Sequence, residues 1–136
     1  MKSMQSKYKQ HLRSAKSRSI HSYLTFSDFW SLKYSDCFYC NIPHDFLLRY
    51  CEYMNVGTPW MTLDRKNNSV GYTKENTVSC CFLCNKTKGS LFNAQEFYEI
   101  AQQYIKPKWL TWQTQVDEDF DEWCQLNVNL PGEEDL

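Results

Sequence analysis

Glycine and proline are scarce, four of each in 136 residues, which excludes a collagen-like repeat and a Pro/Gly-rich disordered chain. No apolar run approaches the roughly 18 residues that would span a bilayer. The first twenty residues are polar and basic and lack the apolar segment of a secretory leader, so the expected compartment is cytoplasmic or otherwise reducing. Acidic residues are absent from the first 22 positions, where Lys2, Lys7, Lys9, Arg13, Lys16 and Arg18 stand unopposed. Histidine is limited to His11, His21 and His44. The seven cysteines are an odd number, which disfavours a disulfide framework and makes metal binding the first suspect.

What is present is a chain that should fold: 42% apolar and 16% aromatic residues within the length of one domain. The net charge of −1 hides an asymmetry. Residues 1–110 hold all fifteen Lys and Arg against eight acids, a formal +7, whereas Asp117, Glu118, Asp119, Asp121, Glu122, Glu133, Glu134 and Asp135 crowd the end. A polyanionic partner suits the body; solvated tails are the plain alternative for either end.

Three regions are expected: a basic arm or frayed helix over 1–24, a domain over 25–110, and an acidic tail over 111–136. Thr25 and Asp28 have capping-box spacing before a helix near 26–34. Cys37 to Cys40 forms a tight knuckle, and 41–59 a connector with a short helix around Phe46 to Tyr53. Trp60 to Leu63 and Thr77 to Ser79 read as strands of a hairpin, with a turn between Asn67 and Gly71. A helix should run from Cys81 or Phe82 to Gly89. Another, capped by Asn93 with Glu96, carries Phe97, Ile100, Ala101, Tyr104 and Ile105 on one face until Pro107 ends it. The aromatic stripe Trp109, Trp112, Phe120 and Trp123 reads as packing. The expected class is α+β.

Cys37-x2-Cys40 and Cys81-x2-Cys84 each present two thiolates from one turn, and together they make a closed tetrahedral set for structural Zn²⁺. Cys80 could replace Cys81, and His44 offers a nitrogen ligand. Cys51 and Cys124 lack a partner at ligand spacing and read as packing.

Between the pairs stands Leu63-Asp64-Arg65, then Gly71-Tyr72-Thr73-x2-Asn76, then Cys81-x2-Cys84-Asn85-x2-Lys88-Gly89. This succession resembles the HNH endonuclease family in its zinc-stapled, phage- or virus-like form, over roughly residues 37–92. The resemblance implies a small ββα-metal (His-Me finger) domain with flanking helices, in which two strands and a helix hold one divalent ion against the scissile phosphate. It implies Asp64 as a carboxylate ligand and Asn85 as an amide ligand of a catalytic Mg²⁺ or Mn²⁺, hard ions that prefer oxygen. It makes Asn76 the residue that hydrogen-bonds the loop backbone behind Asp64. Read without it, Asn76 is a turn residue and Asn85 a helix-cap residue.

Arg65 stands where the family usually carries the proton-accepting His, and a guanidinium stays protonated. Three accounts remain open: Arg65 clamps the phosphate while metal-bound water attacks; His44, Tyr72 or Glu75 supplies the base; or the site no longer cuts. Lys66, Lys74, Lys86 and Lys88 are candidate phosphate contacts, and DNA is the expected partner. Three functions follow: a metal-dependent DNA endonuclease that cuts or nicks, a zinc-stapled nucleic-acid binder, or an interaction module in which the acidic end engages a basic partner or covers the basic groove.

Overall fold

The computed structural model describes residues 3–128; Lys2, Glu133, Glu134 and Asp135, and the side chains of Phe120 and Trp123, lie outside the described residues. Helix α1 spans Met4–Ser17, and the Ser3 hydroxyl accepts the Ser6 amide at 3.1 Å, satisfying one of the N–H groups that a helix start leaves free. The segment expected as a basic arm or frayed helix is thereby a helix packed on the body. Tyr8 donates to the Leu24 carbonyl at 2.6 Å, its ring lies 5.4 Å from Phe29, and Ala15 is buried.

Helix α2, Phe26–Lys33, opens on the expected capping box, with Thr25 and Asp28 bonding each other's backbone amides. Asn41 turns left-handed, at φ 63°, to close the knuckle, where Cys37 donates its amide to the Ile42 carbonyl. Helix α3, His44–Met54, buries Phe46, Leu47, Tyr50 and Cys51 at helical spacing.

Strands β1, Thr62–Arg65, and β2, Thr77–Cys80, pair antiparallel with Asp64 opposite Val78 and Arg65 opposite Thr77. The ladder starts two residues later than the expected Trp60, because backbone pairing sets it: Trp60 sits in the exposed approach, and polar Asp64 and Arg65 take ladder places. Beyond the strands, the Tyr72 amide donates to the His21 carbonyl and the Tyr23 amide to the Tyr72 carbonyl, both at 2.8 Å. A Cβ on Gly71 would lie 2.4 Å from that His21 oxygen, so the close approach requires glycine.

Helix α4, Phe82–Lys88, begins at Cys81 and stops at Gly89, whose φ of 53° an L side chain resists. Helix α5, Ala94–Ile100, has the second expected capping box, Asn93 with Glu96. Pro107 does not end this helix. A π-turn over Ala101–Ile105 widens the spiral, the Lys106 amide reaching back to the Ala101 carbonyl, and α6 continues over Lys106–Val128. Proline lacks the N–H and crowds the preceding turn, and the widened turn supplies the room that a regular α-turn denies.

The hairpin is covered on both faces. On one, Val78 packs with Phe46, Leu47, Phe97, Trp109 and the knuckle cysteines; a smaller cluster of Ala15, Leu24 and Tyr72 joins Leu63 on the other. Trp109 meets Tyr50 edge-on at 4.9 Å and Trp112 stacks on it at 5.1 Å, so α6 packs along α3. The segment expected as an acidic tail from 111 is therefore helical to Val128. Its Asp117 faces Arg49 at 3.7 Å, and its Asp119 accepts from the Tyr53 hydroxyl at 3.0 Å. Among the described residues no helix is long and apolar enough to cross a membrane.

Candidate functional site

The knuckle and the start of α4 bring four sulfurs together. Those of Cys37, Cys40, Cys81 and Cys84 lie within 4.8 Å of one another, all buried, and Cys40 and Cys81 are 3.7 Å apart. A tetrahedral ion with Zn–S bonds of about 2.3 Å puts its sulfurs about 3.8 Å apart, so the donor set fits zinc in chemistry and spacing. The Cys81 amide donates to the Cys37 sulfur and the Cys84 amide to the Cys81 sulfur, each at 3.4 Å, bonds that favour thiolates. With sulfur alone, four buried thiols cannot all ionise. Hydrogen bonds from Cys40 and the neighbouring cysteines hold the Cys37 thiol far down, while the bond to Cys37 pushes Cys81 and Cys84 up.

Cys80 is not one of the four clustered sulfurs: its thiol donates to the Cys81 carbonyl at 3.6 Å, and its interaction with Cys37, together with burial, pushes it up. His44 is not part of it either: its ring packs on Tyr34 at 5.1 Å and faces Asp45. Cys51 is buried in α3's inner face.

Side chains alternate along β1, and Asp64 and Arg65 part company there. Asp64 looks toward α4 and the knuckle. Its Oδ2 accepts from the Tyr39 hydroxyl at 2.6 Å and lies 3.3 Å from Lys88 Nζ. Burial and then the bond to Asp64 push the Tyr39 hydroxyl far above the usual phenol range, so it stays a donor. The Lys88 side chain is 1% exposed and that of Asp64 12%. Lys88 is thus a correction: expected as a surface contact for phosphate, it spends its charge inside the protein, because a buried ammonium needs a partner and Asp64 is the one within reach. Asn85 stands one turn before Lys88 on α4 and is exposed.

Asn76 ties the loop between the strands. Its Oδ1 accepts the Asn67 amide at 2.9 Å, and its Nδ2 donates to the carbonyls of Asn67, Val70 and Gly71. Arg65 turns to the opposite face. Its Nη1 donates to the Asn68 and Val70 carbonyls at 2.8 and 3.1 Å, and its guanidinium lies 5.4 Å from the Tyr72 ring centre. Of the other base candidates, Tyr72 is buried with its hydroxyl accepting from Arg18, and Glu75 is exposed at the turn. Lys66, Lys74 and Lys86 are exposed.

Sequence reasoning missed Tyr39. Its signal was an aromatic hydroxyl inside the Cys-Phe-Tyr-Cys knuckle, which has to follow the cysteines inward. The sequence left open whether the acidic end engages a basic partner or covers the basic groove; Asp117 and Asp119 engage α3.

No family model matches the chain. Over 91 residues it is 33% identical to an uncharacterized protein of Acanthamoeba polyphaga mimivirus, a match covering 67% of this chain. The chain spans about 15% of the length of that curated relative. Among solved structures it is similar to the rare-cutting HNH restriction endonuclease PacI, with a TM-score of 0.67, 21% identity and 82% of each chain covered. The architecture is accordingly that of an HNH endonuclease fold, helices around a small two-stranded sheet, with a cysteine cluster compatible with a zinc staple.

Proposed function

We propose that the chain is an HNH-type endonuclease module that hydrolyses phosphodiester bonds in DNA, cutting or nicking, with a structural Zn²⁺ and a catalytic Mg²⁺ or Mn²⁺. The observation that carries the reading is the Asp64 carboxylate, fixed at the end of β1 and facing α4, in a fold shared with an HNH restriction endonuclease. A carboxylate has about four acceptor positions, and Tyr39 and Lys88 fill the inner ones. The outer side of Asp64 and the exposed amide oxygen of Asn85 are the oxygen donors suited to a hard cation.

Such an ion, when bound, supplies a Lewis acid for the phosphoryl oxygens and lowers the pKa of bound water. The chain's own part is positional. Tyr39 and Lys88 lock the Asp64 rotamer, and a misplacement of about 1 Å can cost roughly 100-fold in rate. Asn76 holds the loop that follows Asp64, and the exposed Lys66, Lys74 and Lys86 offer point charges to backbone phosphates. Arg65 keeps donors beyond Nη1 for a phosphate oxygen.

A second reading, a binder that does not cut, is favoured by Arg65 alone, since it replaces the usual base and braces the loop. Supercoiled plasmid incubated with the protein and Mg²⁺, Mn²⁺ or EDTA separates the two. Nicked or linear product that EDTA abolishes is expected; a gel shift without any cleavage would select the binder.

A further inference from the structure

We propose that the cleft between α1, α2 and β1 is a second nucleic-acid contact, in which Lys7, Arg18 and Lys33 hold a backbone phosphate away from the Asp64–Asn85 site. The inference rests on the nucleic-acid part of the reading above and does not depend on cleavage.

The cleft has a volume of about 640 Å³, within the range of ordinary ligand sites. Its lining includes Lys7, His11, Arg18 and Lys33, together with Trp60 and Tyr72, and no carboxylate. None of its cations appears in the ion pairs formed among the described residues, which join His44 to Asp45, Arg49 to Asp117 and Lys88 to Asp64. Positive charge gathered in a half-buried cleft without a counter-charge repels itself and is favourable only with an anion present. Burial first, and then Lys7, brings Lys33 down to about 8; burial first, and then Lys33 and Arg18, brings His11 down to about 4.

The cations are held in place. Lys33 Nζ donates to the Met61 carbonyl at 2.8 Å, Arg18 Nη2 to the Tyr72 hydroxyl at 3.0 Å, and Lys7 Nζ lies 4.6 Å from the Trp60 ring centre. Trp60 is 44% exposed, and exposed aromatic faces beside cations are the pairing that tracks a nucleic-acid strand. Leu63 lines the cleft while Asp64 faces the other side of β1, so the two contacts grip from opposite faces of one strand.

The test is fluorescence anisotropy with labelled duplex DNA and the same strand single, at low salt with EDTA in place of divalent ions. Lys7→Glu is compared with Lys9→Glu, an identical charge change at an exposed position outside the cleft. Lys7→Glu should weaken DNA binding about tenfold or more and flatten the dependence on salt by about one unit of log–log slope, while Lys9→Glu weakens it less than about threefold. Arg18→Gln should reproduce the loss with Lys7 intact. Equal losses in the two Glu variants, or no DNA binding by the unaltered protein, would overturn the inference. Displacement of DNA by a mononucleotide at micromolar concentration would overturn it too, in favour of a small-molecule pocket. Plasmid cleavage by the same preparations with Mg²⁺ reports on the nuclease reading separately.

Discussion

Asp64 and Lys88 form an ion pair, 3.3 Å apart, between the end of β1 and the end of α4, with almost no exposure of the lysine. The residue proposed to bind the catalytic ion is therefore also one half of the contact that seats α4 on the hairpin. Replacing Asp64 to test catalysis removes a structural partner of Lys88 at the same time, so Asp64→Ala probes the fold together with the chemistry.

Lys88→Met should leave Asp64 half-buried without its counter-ion, and Asp64→Asn should do the same to Lys88. Each is expected to cost about 3–5 kcal/mol in urea unfolding, whereas the double variant recovers most of the loss. Additive losses would show that the pair contributes nothing as a pair.

Asn85→Ala is the cleaner probe of chemistry, since Asn85 is exposed. Mg²⁺-dependent plasmid nicking should fall about 100-fold or more with the thermal midpoint unchanged. Nicking at the parental rate would remove Asn85 from the metal site.

Ion binding at the cysteine cluster should be comparable with the whole domain's stability: about 10–16 kcal/mol for structural zinc against about 5–15 for a small fold. Metal analysis should give one zinc per chain, and a strong chelator should abolish the far-ultraviolet helix signal. Cys40→Ser should lose the ion and Cys51→Ser retain it. Full helicity in a demonstrably zinc-free sample would refute the staple.

His11 supplies a pH dependence of known sign. Burial, with Lys33 and Arg18 nearby, lowers it from 6.5 to about 4, and its ring bonds to the Ser22 hydroxyl at 2.9 Å. Between those values the unfolded chain binds more protons than the folded one, so stability rises with pH across that window and levels off above it. The urea midpoint should fall as pH drops from about 6.5 to about 4, and His11→Gln should flatten that part of the curve. A slope unchanged by the substitution would assign the dependence to other groups.

Much of this was legible because local chemistry declares itself. Thr25 with Asp28, and Asn93 with Glu96, mark helix starts three residues apart, and the two Cys-x2-Cys pairs fix a tetrahedral set whatever lies between them. Other features depend on contacts that no local pattern encodes. The polar, Ser-rich stretch before Ser17 has too little apolar face to declare itself, yet Tyr8, His11 and Ala15 dock it through contacts with distant residues. Lys88 resembles its exposed neighbour Lys86, and only the fold distinguishes them. Pro107 reads as a stop because the pattern assumes a regular helix, and the π-turn removes that assumption.

Gly71 meets the His21 carbonyl, and Tyr72 bonds on either side of it to His21 and Tyr23. The loop that carries Asn76 is thus stitched to the residues just after α1. A trimmed version starting at the second helix would lose this seam, and the loop would move independently of the strands that aim it. The smallest working unit therefore has to include the stretch from His21 to Tyr23, even though every residue assigned to chemistry lies downstream.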